Sequence, residues 1–156
     1  MRDILFAAIA AVLVQPFVLA IRLLPALITA QSPVYGVWIV VVAVLVVSAV
    51  FVILLGIPAF LILRRFAHDG WLSLGAVGFV LGAAPSALIF WPRTLSGYSA
   101  GENWHGHYEH TYVNGAPTIY AWYDYFENVA IFGLHGLVGA LVFFAMMRIL
   151  RRRLVD

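Results

Sequence analysis

Four long apolar stretches, separated by shorter polar segments, dominate the hydrophobic pattern of this chain. They cover residues 4–28, 34–63, 71–91 and 125–150. A helix needs about 20 apolar residues to cross the roughly 30 Å of hydrocarbon in a bilayer. The pattern therefore predicts an all-α membrane protein, a bundle of four transmembrane helices that forms a single domain over residues 1–156.

The first two stretches carry signs of irregular helix. Gln15-Pro16 interrupts the first stretch, which is longer than the apolar region of a signal peptide, so we expect it to be retained as a helix. The second stretch is uncharged throughout, and about 30 helical residues would span about 45 Å. It must tilt, protrude or bend, and Gly56 and Pro58 mark the predicted bend.

Small residues recur at helical spacing in the third and fourth stretches. Such residues let two membrane helices approach closely, so they predict a packing surface between helices. They are Gly75, Gly78, Gly82 and Ser86 in the third stretch, and Gly133, Gly136 and Gly139 in the fourth.

The connection between the third and fourth stretches, residues 92–124, is long and rich in aromatic residues. Connections of more than about 12–15 residues tend to be functional or disordered, and disordered segments contain few aromatic residues. We therefore expect a folded, functional loop. Its aromatic residues, apart from those at the helix ends, are Tyr98, Trp104, Tyr108, Tyr112, Tyr120, Trp122 and Tyr123.

A β-hairpin is predicted in this loop around Asn114-Gly115. This dipeptide readily takes the positive φ angles of a two-residue type I′ turn, and β-favouring residues flank it. Asp124 followed by Glu127 is typical of a helix start, which predicts that the fourth helix begins near 125. The register pairs Val113 with Ala116, Glu109 with Tyr120, His107 with Trp122 and His105 with Asp124.

Composition and charge support membrane insertion and predict its orientation. The chain is 64% hydrophobic and 10% charged, which is too little charge for a water-facing surface. Arginines at the edges of predicted helices indicate membrane topology and not nucleic-acid binding. Seven arginines on one side predict cytoplasmic termini and an exoplasmic loop, in a bacterial inner membrane. These seven are Arg2, Arg64, Arg65, Arg148, Arg151, Arg152 and Arg153, whereas Arg22 and Arg93 lie near the other side.

The densest group of candidate metal ligands lies in the loop. Imidazole and carboxylate groups are common ligands of zinc and copper. In a strand, His105 and Glu109 would lie about 13 Å apart, too far for one ion, whereas His105 and His107 would lie about 7 Å apart. The feasible metal site is therefore His105 and His107 with Asp124 or Glu102. The favoured alternative is that these histidines are hydrogen-bonding residues of an aromatic loop.

Three polar residues are expected within or at the edges of the helices. His135 lies about two turns inside the fourth span, where an ionisable residue indicates a proton relay or a haem ligand. The other predicted spans contain no histidine to complete a two-histidine haem site, so we favour a hydrogen bond across the glycine-rich interface. Arg22 is expected to reach outward to water or to pair with Glu127 or Asp124.

The sequence predicts a partner-docking protein and not an enzyme. No serine motif, aspartate pair, phosphate-binding glycine loop or dinucleotide fingerprint is present. Exposed aromatic residues are typical of interface hot spots, which favours an accessory subunit or an immunity-type inhibitor. The alternative is a metal- or haem-dependent membrane enzyme or transporter that uses His105, His107, Glu109 and His135. The expected partner-binding residues are Trp104, Tyr108, Tyr112, Tyr120 and Trp122.

Overall fold

The computed structural model describes residues 2–29 and 36–152, without the side chains of residues 22 and 24–29. The described structure is 74% helical, with a small three-stranded sheet. Within these described residues, four helical segments are long and apolar enough to cross a membrane, which confirms the number of candidate spans. They are Arg2–Ile21, Val37–Arg65, Trp71–Ile89 and Ile119–Arg152.

The first candidate span is broken into two helices at Val14. Helix α1 covers Arg2–Leu13 and helix α2 covers Gln15–Thr29. The carbonyl of Val14 accepts hydrogen bonds from the amides of both Phe17 and Val18. Pro16 has no amide hydrogen and is tolerated best in the first turn of a helix, which is its position in α2. The interruption expected at Gln15-Pro16 is therefore the junction of two helices.

The second candidate span changes its hydrogen-bonding pattern halfway along. Helix α3 (Val37–Phe51) leads into a π-helical turn (Val52–Gly56) and then into helix α4 (Ile57–Arg65). The predicted irregularity at Gly56 and Pro58 is therefore present, because a π turn replaces regular helix just before the proline. Helix α3 has no fully buried residue, but its half-buried positions, such as Val41, Val44 and Ser48, recur at helical spacing on one side, and α3 contacts α1 and α2.

Helices α5 (Trp71–Ile89) and α6 (Ile119–Arg152) form the closest helix pair of the fold. A Cβ atom on Gly78 would lie 2.5 Å from the Cβ of Ala140, and one on Gly136 would meet the Gly78 carbonyl. Gly82 likewise faces the backbone of α6. The predicted small-residue packing surface is confirmed, since the two backbones approach too closely for side chains between them.

The buried core lies towards one end of the bundle, where Phe60 and Phe143 meet edge to face at 4.9 Å. At that end Arg151 forms a 3.7 Å ion pair with Asp69 of the α4–α5 turn. The start of α1, the α4–α5 turn and the end of α6 therefore share one end, which we call the arginine end. The buried core residues are Ala7, Ala8, Ala11, Phe60, Leu74, Phe143 and Met147.

A three-stranded antiparallel sheet forms in the connection between α5 and α6. Its strands are β1 (Ala100–Trp104), β2 (His107–Val113) and β3 (Ala116–Pro117), in the order β1-β2-β3. The turn predicted at Asn114-Gly115 is present, with φ angles of 51° and 86°. The predicted register is confirmed where β3 exists, because Val113 pairs with Ala116 and Tyr112 with Pro117.

The rest of the predicted second strand is wrong, because α6 begins at Ile119 and not near 125. The hydroxyl of Thr118 accepts a 3.2 Å hydrogen bond from the Tyr120 amide and caps the helix. Asp124 and Glu127 therefore lie inside α6 and do not begin it. The strand pairs predicted for Glu109 with Tyr120, His107 with Trp122 and His105 with Asp124 do not form.

A second, unpredicted turn lies at His105-Gly106, where the φ angles are 51° and 93°. It joins β1 to β2, with Trp104 paired to His107. The side-chain oxygen of Asn103 accepts a 2.8 Å hydrogen bond from the Gly106 amide. The histidine run is therefore a turn followed by a strand, and the spacings expected for a continuous strand do not apply to His105.

Candidate functional site

One face of the sheet, the inner face, rests on the first turns of α6. The ring of Trp104 lies 5.6 Å from that of Tyr120 and stacks on Tyr123 at 5.5 Å. The Glu109 carboxylate lies close enough to the Tyr120 hydroxyl to raise the pKa of that tyrosine above its ordinary value. The side chains of Trp104 and Tyr120, two of the predicted partner-binding residues, thus attach the sheet to the helix.

A second aromatic cluster joins the end of α5 to α6 below the sheet. Trp91 lies 5.2 Å from Trp122 and 5.5 Å from Tyr125, both edge to face. The hydroxyl of Tyr125 donates a 3.1 Å hydrogen bond to the carbonyl of Ala87. Trp122, a third predicted partner-binding residue, is therefore part of the packing between α5 and α6.

On the other face of the sheet, the outer face, Tyr108 and His110 are exposed, whereas Tyr112 is half-buried and lines a cavity beside α6 together with Tyr98. Tyr108 is 68% exposed, and its ring lies 5.6 Å from that of His110. A Cβ atom on Gly101 would lie 2.7 Å from the Tyr108 hydroxyl, so the tyrosine lies across this glycine. Tyr112 packs against Tyr98 at 5.4 Å. Tyr98, Tyr108, His110 and Tyr112 together form what we call the tyrosine surface.

Residues 95–99 hold the tip of the sheet in place. The Leu95 amide donates a 2.8 Å hydrogen bond to the Gly115 carbonyl, and the Gly115 amide donates a 2.7 Å bond to Tyr98. The Asn114 amide donates a 3.0 Å bond to the Ser99 hydroxyl. A Cβ atom at Gly115 would meet the Leu95 carbonyl, so this position requires glycine both for space and for its positive φ. The tyrosine surface is therefore backed by a fixed turn.

Carboxylates crowd the space between the sheet and α6. Glu102 lies directly opposite Glu109 in the β1–β2 register, and it lines a cavity of about 210 Å³ together with Asp124. Partial burial, and to a lesser extent the Asp124 carboxylate, raise the pKa of Glu102 above its ordinary value of 4.5. This part of the loop therefore carries negative charge beneath the sheet.

The candidate metal ligands of the loop are not brought together. Nε2 of His105 lies 3.1 Å from Oε2 of Glu127, and the His105 ring also packs on Trp104 at 4.5 Å. His107 is exposed at the start of β2. In residues 2–29 and 36–152, no group of three or more histidine, aspartate or glutamate side chains is placed to hold a metal ion. His105 instead forms an ion pair with Glu127 when it is protonated.

Among the helices, His135 forms a hydrogen bond to another helix as predicted, but its partner lies at the α1–α2 junction and not across the α5–α6 contact. Its Nδ1 lies 2.8 Å from Oε1 of Gln15, whose Nε2 donates to the carbonyls of Ala11 and His135 at 3.2 Å each. Sequence reasoning identified Gln15 as a helix interruption but did not predict this contact. The predicted pairing of Arg22 involves a side chain outside the described part of the structure.

The aromatic side chains of the sheet thus lie in two different environments. Those on its inner face attach it to α6, whereas Tyr98 and Tyr108 of the tyrosine surface are exposed. Searches against protein-family models, curated proteins and solved structures find no match to this chain.

Proposed function

We propose that this chain is a non-enzymatic, multi-pass membrane protein that docks a protein partner through the tyrosine surface. The observation that carries the proposal is Tyr108, a large aromatic side chain that is 68% exposed on a sheet fixed at both turns. Tyrosine is enriched in interface hot spots because it supplies a large contact area at low entropic cost. The protein would act as an accessory subunit or as an immunity-type inhibitor.

The proposed orientation places the arginine end in the cytoplasm and the sheet outside, across a bacterial inner membrane. Arg151 and Asp69 bring the end of α6 next to the α4–α5 turn, where Arg64 and Arg65 lie. The sheet lies on the α5–α6 connection, at the start of α6 and away from these arginines. This distribution agrees with the excess of positive charge on cytoplasmic segments of membrane proteins.

A fixed surface favours binding because less conformational entropy is lost on association. Tyr108 already lies across Gly101, and hydrogen bonds hold the turn at Asn114-Gly115. Trp104 and Tyr120 would then support binding indirectly, by holding the sheet on α6. We therefore assign direct contact to Tyr108 and Tyr112, and a supporting role to Trp104, Tyr120 and Trp122.

The metal- or haem-dependent alternative gains no specific support from the geometry. His105 contacts Glu127, and His135 contacts Gln15, so both histidines already have hydrogen-bonding partners. The loop carboxylates are distributed along the sheet and α6 instead of converging with two histidines. Partner docking is therefore the function that the described side chains favour.

Site-specific photocrosslinking in intact cells tests the proposal. A photoreactive phenylalanine analogue would replace Tyr108, and a matched control would replace Trp38, which is 70% exposed on the apolar face of α3. We expect a discrete protein adduct from position 108 that is absent from position 38. Its yield should fall about tenfold or more with Tyr112→Ala, because loss of a hot-spot side chain can cost about 2 kcal/mol. No adduct at 108, or the same adduct at both positions, would contradict partner docking.

A further inference from the structure

A cavity of about 690 Å³ opens at the arginine end, between α4, α5 and α6. Its floor is apolar, since Phe60, Leu74 and Met147 are all buried. Its rim is charged: three arginines stand against a single aspartate among the residues that line the cavity. The lining residues on this rim are Asp69, Arg148, Arg151 and Arg152.

The apolar floor and the charged rim of the cavity follow one another along one face of α6. Residues three and four apart lie on the same side of a helix, so Phe144, Met147, Arg148 and Arg151 follow one another along it. Seven residues of helix rise about 10 Å. The surface therefore changes from apolar to cationic over a distance similar to the roughly 5–8 Å depth of one headgroup region.

The charged rim suits a phosphate group. Arginine presents a planar set of N–H donors that matches phosphate oxygens, and charge-assisted bonds of this type are among the strongest hydrogen bonds in proteins. Arg151 is held near the cavity by Asp69 at 3.7 Å, and both side chains are partly exposed. One carboxylate cannot neutralise three guanidinium groups, so the rim keeps a net positive charge.

We propose that this cavity binds an anionic glycerophospholipid from the surrounding leaflet. The phosphate contacts Arg148, Arg151 and Arg152, and one acyl chain lies over the apolar floor formed by Phe60 and Met147. Basic pockets between membrane helices at the cytoplasmic side bind anionic headgroups. The net positive rim disfavours a choline headgroup, whose ammonium group it repels. The proposal rests on the membrane location proposed above but not on partner docking.

The test uses the full chain in lipid nanodiscs of phosphatidylcholine with increasing phosphatidylglycerol. Native mass spectrometry counts the phosphatidylglycerol retained, and thermal unfolding reports its effect on stability. We expect retention by the wild-type protein and at least about tenfold weaker retention by the Arg148→Gln, Arg151→Gln, Arg152→Gln triple variant.

The matched control removes the same charge from the same end without touching the cavity. It is the triple variant Arg2→Gln, Arg64→Gln, Arg65→Gln, which should retain the lipid nearly as the wild type does. Equal loss in both variants would overturn the proposal in favour of general surface attraction. Inorganic phosphate that displaces the lipid at equal concentration would show a soluble-anion site and would also overturn it.

A second pair of variants, each with a single substitution, tests the same contact independently of whether the triple variant folds. Asp69→Asn frees Arg151 from its carboxylate and should increase lipid retention, whereas Asp3→Asn changes the net charge equally but lies on α1. Equal effects of the two variants would contradict the proposed contact. Tyr108→Ala should leave lipid retention unchanged, so this test and that of partner docking fail independently.

Discussion

Oε1 of Gln15 lies 2.8 Å from Nδ1 of His135, and this contact joins two helices across 120 residues of sequence. Because the amide nitrogen of Gln15 donates to two carbonyls, its oxygen accepts from His135, which places a proton on Nδ1. Gln15 is only 6% exposed, and it stands at the junction of α1 and α2. The pair therefore ties the broken first span to α6.

Gln15→Leu should lower the free energy of unfolding by about 1–2 kcal/mol, since it removes these hydrogen bonds without removing apolar volume. Denaturant unfolding in mixed micelles would measure the change. His135→Leu and the double variant complete a mutant cycle, in which we expect a coupling free energy of about 0.5–1.5 kcal/mol. Simple additivity would show that the contact does not stabilise the bundle.

Gly136→Ala should weaken the α5–α6 pair, because the new methyl group would meet the carbonyl of Gly78. Overpacking of this kind costs about 1–3 kcal/mol. Gly56→Ala is the matched control, since an added Cβ there would be no closer than 3.9 Å to its neighbours. The control should be neutral or slightly stabilising in the same unfolding assay. A Gly136→Ala protein as stable as the wild type would contradict the close backbone contact.

The carboxyl pKa of Glu102 should be above 4.5 when measured by NMR titration of the labelled side chain. Asp124→Asn should lower this pKa only in part, because burial is the larger cause of the shift and Asp124 the smaller. If the Glu102 pKa returned fully to 4.5 in Asp124→Asn, then Asp124, and not burial, would be the larger cause of the shift.

The same shift predicts the pH dependence of stability at Glu102. The pKa of Glu102 is raised in the folded state, so ionisation of this carboxyl is less favourable in the folded protein than in the unfolded chain. The folded protein is therefore destabilised as the pH rises through the unfolded and then the folded pKa. Glu102→Gln should therefore stabilise the protein at pH 7 by less than about 1 kcal/mol, given the exposure of the group, and should have no effect near pH 3. Equal stabilisation at both pH values would point to a cause other than charge.

Labelling of single cysteines should place His110→Cys outside and Arg65→Cys inside the cell. The natural chain contains no cysteine, so each introduced thiol is the single reactive one. A membrane-impermeant maleimide should label position 110 in intact cells and position 65 only after lysis. Labelling of both positions from the same side would contradict the proposed four-span topology.

The sequence alone determined the parts of the fold that depend on local pattern. The four apolar helices follow from length and hydropathy, and the spacing of Gly78, Gly82 and Gly136 predicts a packing surface on each of two helices, although not that these two helices pair. The turn at Asn114-Gly115 follows from two residues that tolerate positive φ. Each of these signals lies within a few residues of the structure that it specifies.

Tertiary structure decided which distant groups each polar side chain contacts. The Thr118 cap and the His105-Gly106 turn are instead local, with hydrogen bonds two and three residues apart, and the prediction of one long hairpin missed them. Sequence identified Gln15 and His135 separately, but only the packing of α1 and α2 on α6 brings them to 2.8 Å. Contacts between residues so far apart in sequence leave no local periodicity, so they become visible only once the helices are packed.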